Sequence, residues 1–95
     1  PFDKTEIQKY LKKLDGWDVK CNEQKSYFVQ KVFKFTNFLE SKNFVNRVSV
    51  IAEDQDHHPD ISFGWGYCKI IIFTHAIEGL AENDFILAAK IDKIS

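Results

Sequence analysis

Little in this sequence favours a nucleic-acid binder, a membrane protein or a disulfide scaffold. Thirteen Lys and Arg against fourteen Asp and Glu leave a net charge of −1, and no basic stripe interleaves with the aromatic residues. Direct binding to DNA or RNA is therefore disfavoured. No apolar run approaches the ~18 residues of a membrane span, and the amino-terminal residues lack the charged-then-apolar layout of a secretory signal. A soluble, cytoplasmic chain is expected. The two cysteines, Cys21 and Cys68, are far apart and lack metal-ligand spacing, so they read as free thiols, with a single bridge between them left open. Internal repeats and low-complexity stretches are absent as well.

What is present is material for one modest core. A chain of 95 residues fits a single domain spanning residues 1–95 and buries roughly two-thirds of its unfolded surface. Nine Phe, three Tyr and two Trp within an apolar content of 44% supply large side chains for that core.

Hydrophobic spacing orders the elements. Thr5-Glu6-Ile7-Gln8 has the form of a capping box, and Ile7, Tyr10, Leu11 and Leu14 follow at helical intervals until Asp15-Gly16. Trp17 to Cys21 reads as a short strand, and Ser26 to Phe35 as a longer one after the turn Asn22-Glu23-Gln24-Lys25. Apolar residues occupy both faces of the longer strand, so alternation leaves its buried side unassigned. Thr36 is a good N-cap for a long second helix carrying Phe44, Val45, Val48, Ile51 and Ala52 on one stripe. Leu39 and Val50 fall opposite that stripe, either as part of a subunit contact or as two isolated surface hydrophobes. Pro59 biases His58 away from the α region, which puts the helix end near His57. Ile61 to Trp65, a turn at Gly66-Tyr67, and Cys68 to Thr74 form a second hairpin, with His75 at its end. A third helix runs from about Glu82 to Ile94. The order α-β-β-α-β-β-α predicts an α+β fold with a four-stranded, mainly antiparallel sheet and helices packed on one face.

Chemistry concentrates in the histidines. All three lie in the central part of the chain: His57 and His58 within Glu53-Asp54-Gln55-Asp56-His57-His58-Pro59, and His75 at a strand end. Histidine both gives and takes protons near neutral pH. Glu53 and His57 would stack on one face if the helix persisted that far, letting the carboxylate orient the ring. Three histidines with a spare carboxylate also resemble a zinc or iron ligand set. Adjacent histidines point poorly at one tetrahedral centre, however, and no His-x-His or His-x-x-x-His pair occurs, so proton transfer is preferred. Nucleophilic catalysis has less support, because neither cysteine lies in the histidine segment and no serine sits in an elbow motif.

The spacing is specific. Glu53-x-x-x-His57-His58-Pro59, then Trp65 after five residues, His75 after nine more and Asp84 after eight more, closely resembles the signature of pterin-4a-carbinolamine dehydratases. Gly16-Trp17, Thr74-His75 and Gly79-Leu80 agree too, so the resemblance covers nearly the whole chain. It implies an enzyme needing neither metal nor organic cofactor, which dehydrates 4a-hydroxytetrahydrobiopterin, the product released by aromatic amino-acid hydroxylases, to quinonoid dihydrobiopterin. His57, His58 and His75 would be its active-site histidines, with Glu53, Asp56, Trp17, Thr74 and Asp84 as a supporting shell around the pterin. Trp17 also has an ordinary reading as a core residue, and Asp84 as a carboxylate favoured near a helix start. The resemblance further implies a homo-oligomer, dimer or tetramer, and a second role known in some animal members, as dimerization cofactor of a homeodomain transcription factor in the nucleus. Two departures stand out. Phe73 precedes Thr74 where members often carry a small polar residue, and Ala81 replaces the usual Ser or Thr cap at a cost of about 1 kcal/mol.

Overall fold

The isoleucine-rich strand lies inside the sheet. In the computed structural model, which describes residues 1–95, the elements are α1 (Lys4–Leu11), β1 (Asp18–Cys21), β2 (Tyr27–Lys34), α2 (Phe38–Gln55), β3 (Asp60–Gly64), β4 (Tyr67–Ile72), a 3₁₀ turn (His75–Ile77) and α3 (Glu82–Ile94). The strands pair in the order β1-β2-β4-β3, every pair antiparallel. This is the expected α+β architecture.

Register decides the face that alternation along β2 left open. Val29 stands opposite Ile72 and Phe33 opposite Cys68, so these residues share the buried side of β4 with Ile70. Phe44 and Val48 of α2, Phe85, Leu87, Ala88 and Ile91 of α3, and Ile7 of α1 complete the core against that side. Full burial of such side chains stabilises by about 1.5–3 kcal/mol each. Leu39 and Val50 remain 64% and 70% exposed on α2.

Trp17 is a core residue. Its ring meets Phe33 edge-on, and its Nε1–H donates to both carboxylate oxygens of Asp92 at 3.1 and 3.0 Å. Lys31, on the buried side of β2, also reaches Asp92 (2.9 Å), donates to the Asp15 carbonyl (2.7 Å) and lies over the Phe33 ring. The strand, the turn after α1 and the far end of α3 are thereby tied together.

Element ends differ from expectation where neighbouring polar residues compete. Asp3, not Thr5, caps α1: its carboxylate accepts from the Glu6 N–H (2.9 Å) while Glu6 accepts from the Asp3 N–H (3.2 Å). Asn37, not Thr36, caps α2, and Thr36 instead donates both its N–H and its hydroxyl to Glu40. The β3–β4 turn falls on Trp65-Gly66, one residue early, because Gly66 takes the left-handed backbone (φ 80°).

The end of α2 matters most. It stops at Gln55, two residues before His57, and Asp56 takes the left-handed conformation (φ 49°, ψ 44°). The Asp56 N–H donates to the Glu53 carbonyl and the His57 N–H to the Ala52 carbonyl (3.0 Å), the pair of bonds that defines a Schellman ending. Glycine is the usual residue at this position because a Cβ is strained there. Asp56→Gly should therefore raise the unfolding free energy by about 0.5–1 kcal/mol, and Asp56→Val should lower it by about 1–2 kcal/mol. Urea denaturation at constant m-value checks both; a loss with glycine would show that the carboxylate rather than the backbone holds this turn.

Candidate active site

The left-handed turn at Asp56 sends His57 towards α3. There Asp84, in the first turn of the helix, is fully buried. Its carboxylate accepts from the Ala81 N–H (2.9 Å) and from the Thr74 hydroxyl, 2.8 Å from each oxygen. Ala81 lacks a capping side chain of its own, so Asp84 supplies the bond to the helix entrance. His57 Nε2 lies 2.9 Å from Asp84 Oδ1, and the His57 side chain is only 10% exposed. This nitrogen is fully buried in its contact with the carboxyl. On the other edge of the ring, Asn83 Nδ2 is 3.2 Å from Nδ1. Since the amide nitrogen donates, Nδ1 accepts, and the ring proton of neutral His57 belongs on Nε2, facing Asp84.

Burial pushes the Asp84 carboxyl above the ordinary carboxylate range, against the opposing pull of the Ala81 N–H, the Thr74 hydroxyl and the neighbouring His57.

His58 takes the position expected of His57. Because the helix stops early and turns, the ring of His58, 57% exposed, pairs through Nε2 with Glu53 Oε2. The predicted Glu53–His57 stack is thus replaced by Glu53–His58. Asp56 contributes its backbone to this arrangement, and its side chain is exposed.

His75 sits on the 3₁₀ turn rather than at a strand end. The turn is pinched at its base by the Thr74 N–H donating to the Gly79 carbonyl (3.0 Å) and the Gly79 N–H to the Thr74 carbonyl (3.3 Å). Thr74 is the link: its hydroxyl holds Asp84, and the next residue in the chain is His75. The His75 ring is exposed and stands perpendicular to Phe73.

Trp17 does not join this cluster. Its partner Asp92 is eight residues beyond Asp84 on α3, about 12 Å along the axis. Asn83, which does join it, was passed over in the sequence because Asn near a helix start has local reasons to be there. No three His, Cys, Asp or Glu side chains converge as metal ligands would.

A carboxyl held above its ordinary range makes the folded state prefer the protonated form. Asp84 therefore contributes stability that is complete below its unfolded value of 3.8 and is lost as pH rises through the raised folded value. Asp84→Asn should remove that part of the pH dependence, so that unfolding free energies of the two proteins diverge as pH rises above about 4. Asp84→Ala, which strands the Ala81 N–H and the Thr74 hydroxyl, should cost about 1–3 kcal/mol at every pH. Parallel stability profiles for Asp84→Asn and the unaltered chain would contradict this account of the buried carboxyl.

Comparison with known proteins places the chain in a family. Residues 1–94 match the family model described as pterin 4 alpha carbinolamine dehydratase. A protein of Rubrobacter xylanophilus that carries this activity as a provisional name is 45% identical over 94 residues, which cover 99% of this chain and 84% of the relative. One from Halorhodospira halophila, named in the same provisional way, is 46% identical with the same coverage. Among solved structures, a transcriptional coactivator/pterin dehydratase from Brucella melitensis superposes with a TM-score of 0.85 at 27% identity, over 98% of this chain and 96% of that one. A pterin dehydratase-like protein described as a RuBisCO assembly factor of the alpha-carboxysome shares the fold, with a TM-score of 0.70 at 21% identity. The chain belongs to the pterin 4 alpha carbinolamine dehydratase family.

Proposed function

We propose that residues 1–95 act as one catalytic domain that dehydrates 4a-hydroxytetrahydrobiopterin to quinonoid dihydrobiopterin and water, in the recycling of tetrahydrobiopterin. The observation that carries this reading is the buried contact of His57 Nε2 with the Asp84 carboxyl, 2.9 Å apart. A carboxyl beside an imidazole orients that ring and biases where its proton resides, as a histidine acid or base requires.

The reaction breaks the C4a–O bond. The departing oxygen leaves as water after receiving a proton, and the ring system gives up one N–H proton, so one acid and one base balance the step. His57 and His75, delivered by different elements, are the alternative donors to the leaving hydroxyl. His58, oriented by Glu53 and open to solvent, binds the pterin together with its neighbours. Thr74 and Asp84 support His57, and Asp56 does so through the turn it makes. Positioned histidines of this kind supply roughly 10²–10⁴-fold in rate. None of these steps calls on a metal or an organic cofactor.

A binding role beside catalysis has one observation in its favour. Leu39 and Val50 stand exposed on the outer side of α2, and the Brucella melitensis relative is described as a coactivator as well as a dehydratase. We infer that this face joins copies of the chain into a homo-oligomer, with a transcription-factor partner as the alternative occupant. Replacing both residues by Gln should lower the sedimentation coefficient; an unchanged coefficient would remove this reading. The place of action we assign to the cytoplasm; no helix is long and apolar enough to cross a membrane.

For the catalytic reading, His57→Ala and His75→Ala should each lower the rate of carbinolamine decay, and the two together should lower it by about 10²-fold or more. His58→Ala should act mainly by raising KM. Unchanged rates in all three variants, followed spectroscopically, would sink it.

A further inference from the structure

His75 is asked to transfer a proton, yet it stands on an exposed three-residue turn. A ring in that setting explores several rotamers unless something holds it. Phe73 is the neighbour placed to do so: the two ring centroids are 4.9 Å apart at an interplanar angle of 79°, the edge-to-face geometry that aromatic quadrupoles favour. Phe73 follows directly on Ile72, the last residue of the central strand β4, and is itself half-buried, so it is anchored where His75 is not.

The same two rings line two grooves that share Asn22. One, of about 240 Å³, has Phe28, Ile71 and Asp60 as its other walls. The second, of about 310 Å³, continues past Gln24, Ser26 and Glu78. Phe28, Ile71 and Phe73 give the first groove an apolar lining suited to one face of a bicyclic heterocycle. Its Asp60 is the first residue of β3, two residues beyond His58, so the groove reaches from the start of that strand to His75.

We propose that Phe73 is a positioning residue for His75, fixing that ring at the wall of the apolar groove in which a bicyclic heterocyclic substrate lies. The inference rests on the dehydratase reading and extends it to a residue at which this chain departs from the family pattern. Phe73 transfers no proton. It restricts His75 to the orientation in which a proton reaches the leaving hydroxyl, and its own edge or face closes the groove beside the substrate.

The test compares the unaltered chain with Phe73→Leu, Phe73→Ser and Phe73→Tyr, using a synthetic 4a-hydroxytetrahydropterin as substrate and the Cε1–H and Cδ2–H resonances of His75 as a structural readout. Removing the aromatic contact should lower kcat roughly 2- to 10-fold with a smaller change in KM. Phe73→Tyr should restore it. The His75 resonances should lose their ring-current displacement in the Leu and Ser variants and regain it in Tyr. Should Phe73→Ser fail to fold, Phe73→Leu decides by itself. An active unaltered chain with kcat unchanged in Phe73→Leu, or with unmoved His75 resonances, overturns this inference alone. An unaltered chain that does not accelerate the reaction overturns the dehydratase reading and this inference with it.

Discussion

The buried carboxylate of Asp84 is the constraint on which the site depends. Removing such a group from water costs several kcal/mol, and the fold offsets this with the Ala81 N–H, the Thr74 hydroxyl and the adjacent His57 ring. Each partner belongs to a different segment: the entrance of α3, the chain after β4, and the turn after α2. Satisfying one carboxylate therefore fixes three segments relative to one another. Two of those segments carry histidines. The compensation is incomplete, since the carboxyl stays above its ordinary range. A buried carboxyl perturbed by desolvation beside a histidine marks a candidate functional site.

A second constraint acts through the backbone. Were α2 to continue through Asp56, His57 would remain on the helix and Glu53 would be its neighbour. The left-handed residue instead ends the helix, so that the two adjacent histidines leave it in different directions, one to the buried Asp84 and the other to the exposed Glu53. Adjacent residues thus acquire opposite environments. That difference in environment suits the assignment of proton transfer to His57 and substrate binding to His58.

Much of the fold was legible in the sequence, because periodicity and turn residues agreed with each other. The element order and the span of α3 follow directly from spacing, as does the apolar stripe of α2. Local choices between near-equivalent residues were not legible: Asp3 or Thr5, Asn37 or Thr36, and Trp65-Gly66 or Gly66-Tyr67 differ little in propensity, and packing decides between them. The early end of α2 was hidden because Asp, unlike Gly, carries no strong signal for a left-handed backbone. At the candidate site, the histidines stood out by their concentration, whereas Thr74 and Asp84 entered only through the family resemblance. The contact of His57 with Asp84 and Asn83 rather than with Glu53 was not legible, since residues distant in sequence meet only once the fold is known. Trp17 shows the reverse: an aromatic within the recognisable pattern is engaged by Asp92 and Phe33 instead.

The central claim is that this chain turns over a pterin carbinolamine by histidine acid–base chemistry. The most direct measurement is stopped-flow absorbance of a freshly generated 4a-hydroxytetrahydropterin, mixed with increasing amounts of the purified chain at neutral pH. The account predicts decay to the quinonoid product that is proportional to protein concentration, saturates with substrate and exceeds the buffer rate by orders of magnitude. Decay at the buffer rate, whatever the protein concentration, would contradict it.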